Sequence, residues 1–139
     1  MKVMTETLAL ATRGHTDVID LTSQVDEKLK ETLLKNGTVT LNVCGSTAAL
    51  TTVEFEPGLV KDIKEFVEKL IPSHKDYHHD ATWGDSNGYA HLRSSLFGTT
   101  LTLPFSEGKL VLGQWQQVVF IDFDNRPRNR RLVMQFMGE

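Results

Sequence analysis

The alternation of apolar and polar positions divides this chain of 139 residues into strand-like and helix-like stretches. Glu6 to Ala11 alternates loosely, Arg13-Gly14-His15-Thr16 is turn-like, and Val18-Ile19 resumes a strand, so the pattern predicts a hairpin at the start. From Thr22 the period changes. Val25, Leu29 and Leu33 recur at intervals of four on one helical face, Thr22 or Ser23 can cap the start, and Asn36-Gly37 supplies a glycine stop. Val39, Leu41 and Val43 then alternate with Thr38, Thr40 and Asn42, which is the signature of a strand with one buried face. Leu50 to Phe55 makes the next strand, and Pro57-Gly58 breaks it.

Leu59, Ile63, Phe66, Val67 and Leu70 form an apolar stripe at helical spacing that Pro72 ends from just outside. Ser73 to Gly88 has no periodicity and predicts a long ordered loop, a feature that in a compact domain usually carries function. Tyr89 to Phe97 predicts a short helix resting on Leu92 and Leu96, with Gly98 as its stop. Four strand-like segments follow, Thr99 to Pro104, Lys109 to Leu112, Val118 to Asp124 and Arg131 to Phe136, with turns at Ser106-Glu107-Gly108 and Asn125-Arg126-Pro127. The order of elements predicts one α+β domain over residues 1–139: a largely antiparallel β-sheet with two main helices and one short helix packed on it. Neither a GxGxxG nor a GxxxxGK[ST] segment is present, and the β-α-β-α alternation of a doubly wound nucleotide fold is absent.

Composition changes the picture only by exclusion. Hydrophobic residues at 40% and charged residues at 24% are those of an ordinary globular chain, and the net charge of −3 lacks the Lys and Arg excess of a dedicated nucleic-acid binder. Cys44 is the sole cysteine, so no internal disulfide forms, and Met1 to Glu6 has no apolar stretch of the kind that opens a signal peptide. No apolar run approaches the roughly 20 residues that cross a bilayer as a helix. The expectation is a protein of the cytoplasm with no membrane and no nucleic-acid partner.

Candidate chemistry concentrates between His78 and Arg93. His78, His79 and His91, the carboxylates Asp80 and Asp85, the amide Asn87 and Arg93 all fall in that stretch. Imidazole with carboxylate suits zinc and similar divalent metals, whereas oxygen-only sets suit magnesium. On a helix from Tyr89, His91 and Arg93 lie roughly 200° apart around the axis and need not meet the same ligand atom. Asp85 and Asn87, bracketed by Gly84 and Gly88, are in irregular chain that can turn their oxygens towards a common point. The plainer reading is a polar surface loop in which Asp85 or Asn87 caps the next helix and His78 is merely exposed.

Cys44-Gly45-Ser46-Thr47-Ala48-Ala49 joins two strands, and its hydroxyls and free amides suit an anion, against the plainer reading of a small-residue turn with a buried Cys44. Glu54 and Glu56 share a strand face as paired carboxylates or as a solvated surface. Gln114, Gln116 and Gln117 surround Trp115, a residue type more often core than platform. Arg126, Arg128, Arg130 and Arg131 cluster at a hairpin, usually a solvated turn and in the minority of cases a phosphate site.

Several of these segments together resemble the YjbQ-like family: Ser46-Thr47-Ala48-Ala49, Glu56-Pro57-Gly58-Leu59, His79-Asp80, Asp85-x-Asn87-Gly88-x-Ala90-His91-Leu92, Leu101-x-Leu103-Pro104 and Gly108-Lys109-Leu110-x-Leu112-Gly113-Gln114-Trp115-Gln116. The resemblance spans nearly the whole chain in order. It implies a compact α+β fold, a homotrimer, histidines near a metal or anion site, and an activity described for members as secondary thiamine-phosphate synthesis. Many members carry a histidine immediately before the Ser/Thr-Thr-Ala stretch, where this chain has Gly45.

The leading expectation is therefore a transferase that joins a pyrimidine methyl diphosphate to a thiazole phosphate and releases pyrophosphate. His79, His91, Asp85 and Arg93 would be catalytic; Ser46, Thr47, Asn87 and Gln114 would hold the phosphorylated substrate; His79, His91 and Asp85 would hold a divalent metal, magnesium or zinc. A metal-dependent hydrolase of a small phosphorylated or acyl substrate, and a non-catalytic metal- or anion-binding trimer, are the alternatives.

Overall fold

Eight strands and four helices follow one another through residues 1–139, all described by a computed structural model. The strands are β1 (Lys2–Thr12), β2 (Asp17–Asp20), β3 (Gly37–Val43), β4 (Ala48–Val53), β5 (Thr100–Ser106), β6 (Lys109–Leu110), β7 (Gln117–Asp122) and β8 (Arg128–Gly138). The helices are α1 (Thr22–Thr32), α2 (Pro57–Leu70), α3 (Asp80–Trp83) and α4 (Gly88–Phe97). Every strand pair is antiparallel, but the strands form two sheets, one ordered β1-β8-β3-β5-β6 and one ordered β2-β7-β4. The α+β class and the antiparallel pairing expected from the pattern hold. The single sheet does not.

The division follows from β7, whose residues Val118 to Asp122 are all buried, so both of its faces are covered. Val118 and Phe120 point into the larger core, with Leu21, Val25 and Leu29 of the α1 segment, Leu50 of β4, and Val39, Leu41, Leu132 and Met134 of the five-stranded sheet. Val119 and Ile121, one residue out of phase, point the other way against Val67 of α2 and Tyr89 and Ala90 of α4. The small sheet is thus the middle layer between the large sheet and two helices.

The opening hairpin is also corrected. β1 pairs with β8 and β2 with β7, so the two strands share a turn but not a sheet. At that turn Gly14, His15 and Thr16 all take left-handed φ values of 74°, 55° and 61°. The His15 N–H donates to the Asp124 carbonyl at 2.7 Å, which carries the chain from one sheet to the other.

Caps differ in detail from the expectation. The N-cap of α1 is Leu21, rather than Thr22 or Ser23, and makes no side-chain cap; the Asp20 carboxylate just before it accepts from the Thr22 N–H at 2.9 Å and from its hydroxyl at 2.7 Å. The helix closes at left-handed Leu33, before Asn36-Gly37. Glu56 caps α2, accepting from the N–H groups of Gly58 and Leu59, so its carboxylate is committed to the backbone rather than paired with Glu54. Helix α4 buries Tyr89, Ala90, Arg93 and Ser94 and leaves Leu92 and Leu96 exposed, the reverse of the predicted face. The Ser94 hydroxyl donates to the Ala48 carbonyl at 2.6 Å and fixes that rotation against β4. No helix is long and apolar enough to cross a membrane.

Candidate functional site

The register of the small sheet sets polar residues of distant sequence side by side. β4 and β2 bring Ala48 and Asp17 opposite Asp122, while β1 and β8 pair Thr12 with Arg128. At this corner four charges are packed together: Asp122 and Asp124, with side chains 0% and 1% exposed, and Arg130 and Arg128, at 10% and 30%. Arg130 donates from Nε to Asp122 Oδ2 at 2.7 Å and from Nη2 to Asp122 Oδ1 at 2.9 Å, a bidentate pairing. Arg128 Nε donates to Asp124 Oδ2 at 3.0 Å. The Thr12 hydroxyl donates to Asp122 Oδ2 at 2.6 Å.

Above the corner, the loop 44–47 and the segment 79–91 enclose a polar hollow of about 340 Å³. Gly45, Ser46 and Thr47 form one wall, and His79, Asp85, Asn87 and His91 form another. Asp124, Arg128 and Arg130 lie between them, and Trp83 stands at the edge. The imidazoles of His79 and His91 are 4.2 Å apart at their centroids and tilted by 53°. His79 Nε2 is buried without a hydrogen-bond partner, and its nearest carboxylate oxygen, Asp85 Oδ1, is 3.8 Å away. Asn87 donates from Nδ2 to Asp124 Oδ1 at 3.3 Å, leaving its own Oδ1 buried and unpartnered. These are the two buried side-chain polar atoms left without a partner within the protein, and both belong to residues that line the hollow.

The segment 73–88 is held by Asp80, whose two carboxylate oxygens accept from the N–H of Gly88 at 2.9 Å and of Tyr77 at 3.3 Å. That pinning lets the single turn of α3 present His79 to His91. Left-handed Gly84 and Ser86 then reverse the chain towards Asn87. Gly88 is required for a different reason, because a β-carbon there would come within 2.7 Å of Tyr77 Cβ.

Electrostatics separate the two ends of the hollow. Burial, and then the neighbouring His79, hold the His91 pKa below the ordinary histidine value, so His91 is neutral at neutral pH. Burial pushes Asp124 up, but hydrogen bonds from the Asn125 N–H, Thr47 and Asn87, with the charge of Arg128, outweigh it and keep its pKa below the usual carboxylate range.

The hollow gathers His79, His91, Asp85, Asn87, Ser46 and Thr47, as the sequence predicts, but not Arg93 or Gln114. Arg93 turns to the opposite side of α4, where it is 3% exposed, paired with Glu68 at 2.9 Å, donating to the Ile71 carbonyl at 2.7 Å and stacked over Tyr89. It locks the end of α2 to α4. Gln114 lies on the exposed loop before β7, where its carbonyl accepts from Gln117 Nε2 at 3.4 Å, and Trp115 beside it is exposed rather than core. The Thr47 hydroxyl is also committed, donating to Asp124 at 2.9 Å and accepting from Arg130 at 2.7 Å, so that Ser46 is the free hydroxyl of the loop. Cys44 is exposed, not buried.

Asp122 and Asp124 carry no sequence signal, because they end an apolar strand as any turn-facing aspartates do; only the register reveals them as partners of Arg128 and Arg130. His79, His91 and Asp85 approach one another, but no three His, Cys, Asp or Glu side chains converge in a set that would hold a metal ion. A larger cleft of about 500 Å³ beside α1 is lined by Asp20, Asp26, Lys30 and Lys109, with no histidine, and its charges have the character of a solvated surface.

A family model described as UPF0047 protein YjbQ-like matches residues 6–139. A UPF0047 protein of Archaeoglobus fulgidus is 41% identical over 128 residues, covering 92% of this chain and 97% of the relative. UPF0047 protein YugU of Bacillus subtilis is 29% identical, covering 97% of this chain and 100% of the relative. Among solved structures, a YbjQ-like protein of unknown function from Sulfolobus solfataricus superposes with a TM-score of 0.93 at 28% identity, covering 99% of each chain. A hypothetical protein from Aeropyrum pernix does so with a TM-score of 0.91 at 32% identity, covering 98% of this chain and 99% of the other.

Proposed function

From the premise that this chain belongs to the UPF0047, YjbQ-like family, we propose that it is an enzyme of small phosphorylated substrates, of the thiamine-phosphate synthase type. The observation that carries the reading is the convergence on one hollow of His79 and His91 with the Ser46 loop and the arginines of β8. A volume of about 340 Å³ is at the low end for a small-molecule site and suits a diphosphate with part of its carrier.

In the proposed reaction the methylene carbon of a pyrimidine methyl diphosphate loses its C–O bond. The electron pair leaves on the diphosphate, and the ring nitrogen of a thiazole phosphate supplies the pair for the new C–N bond. Charge builds on the departing diphosphate, so fixed donors around it are what lowers the barrier. Arg128, Arg130 and Ser46 are such donors. The neutral His91 and the unpartnered His79 Nε2 are placed to hydrogen-bond or pass a proton to the leaving oxygens.

A zinc hydrolase would need three converging His, Cys, Asp or Glu ligands, and no such group is found. Location in the cytoplasm and assembly as a homotrimer belong to the same reading. The exposed Leu92 and Leu96 on the outer face of α4 support self-association.

Complementation tests the function. Expression in a strain lacking its main thiamine-phosphate synthase should restore growth without thiamine, and His91→Ala should abolish the rescue while remaining folded. Failure of soluble wild-type protein to rescue, with no pyrophosphate release in vitro, would remove the transferase reading.

A further inference from the structure

Arg130 has five N–H donors in a rigid fork, and the protein engages Nε and Nη2 but not Nη1. Nε and Nη2 are taken by Asp122 and by the Thr47 hydroxyl, at 2.7 to 2.9 Å, and the side chain is 10% exposed. Nη1 donates to nothing in the chain. Because the guanidinium is planar and held along two edges, the direction of Nη1 is fixed rather than adaptable.

Beside it stands Gly45. Its φ lies outside the left-handed region, so the backbone does not demand a glycine there. What a side chain would change is the space beside the guanidinium: a β-carbon at residue 45 would stand 3.0 Å from Nη1, which would have to give by a few tenths of an ångström. The N–H groups of Gly45, Ser46 and Thr47 likewise donate to no acceptor in the chain. A solvent-accessible guanidinium nitrogen on a largely buried side chain and three amides without acceptors therefore lie side by side in the wall of the hollow.

We propose that the notch formed by Arg130 Nη1 and the amides of residues 45–47 is the subsite for a terminal phosphoryl group, and that Gly45 keeps it open. The proposal rests on the reading of the hollow as a phosphorylated-substrate site and says which atoms take the phosphate. Asp85, Asp122 and Asp124 set three carboxylates against the two guanidiniums, so the hollow has no net positive field that draws every anion. Recognition comes from directed donors, which favours a compact tetrahedral oxyanion at the end of a small molecule over a carboxylate or a polyanion.

Titration calorimetry with inorganic pyrophosphate tests the notch. Wild-type protein should bind it, Gly45→Ala should weaken binding about tenfold, equivalent to one charge-assisted hydrogen bond, and the melting temperature of Gly45→Ala should be unchanged. On pyrophosphate addition the Arg130 guanidinium ¹⁵N–¹H signals of the wild type should shift, and those of Gly45→Ala should not. Equal affinity in wild type and Gly45→Ala, or binding with unmoved Arg130 signals, overturns the notch and leaves the proposed function standing. Absence of binding to the wild type overturns both.

Discussion

The rings of His79 and His91 stand 4.2 Å apart, brought together from the start of α3 and the first turn of α4. Burial first, and then the His79 ring, hold the His91 pKa down. His79→Gln should therefore raise the His91 pKa, both by removing a like-charged neighbour and by admitting water. A proton NMR titration of His91 Hε1 in the two proteins measures this. An unchanged or lower value in the variant would show that the two rings do not interact.

Stability should depend on pH in a stated direction. Folded His91 has a pKa below that of the unfolded chain, so between the two values the unfolded state binds more protons and stability rises with pH. The full contribution is present above about pH 6.5 and is lost as pH falls through the folded pKa. Asp124, also held down, adds a second loss below the usual carboxylate range, near pH 4 and lower. Urea denaturation from pH 8 to pH 4 should show the first decline in the wild type and a smaller one in His91→Gln.

The buried ion pair at the corner gives a third test. Asp122→Ala leaves Arg130, 10% exposed, without its bidentate partner and should destabilise the fold by about 3–5 kcal/mol, as removal of one member of a buried pair does. Equilibrium denaturation measures the change. Asp122→Asn keeps part of the hydrogen bonding and should lose less.

Most of the element boundaries were legible in the sequence, because period-two and period-four apolar spacing is set by local geometry. The alternation of Val39, Leu41 and Val43 marks β3, and Val25 and Leu29 mark the buried face of α1. What was not legible is long-range. A continuous apolar run such as Val118 to Ile121 says that both faces of β7 are covered, but not by what, so the split into two sheets had no local trace. The same holds for the site: the dense polar segment 78–91 announces itself, whereas Asp122, Asp124, Arg128 and Arg130 become a network only when β7 and β8 bring them together. Arg93 misleads for the complementary reason. The roughly 200° between it and His91 around α4 was legible, but not that its far side would be buried against Glu68 and the end of α2.

Arg93 supplies a fourth test, which separates structure from chemistry. Arg93→Met should destabilise the protein by about 3 kcal/mol, through loss of charged hydrogen bonds to Glu68 and the Ile71 carbonyl. Pyrophosphate affinity should not change. Weakened binding in a fully folded Arg93→Met protein would return Arg93 to the site.

The proposed function puts a phosphorylated ligand in the hollow between residues 45–47 and 79–91. The most direct measurement is a ¹⁵N–¹H and histidine ¹³C–¹H chemical-shift map of the whole chain titrated with pyrophosphate. Saturable shifts are expected at the amides of Gly45, Ser46, Thr47 and Asn87 and at the His79 and His91 rings, with the cleft beside α1 silent. Shifts that gather at Lys30 and Lys109, or no saturable shift anywhere, would contradict that placement.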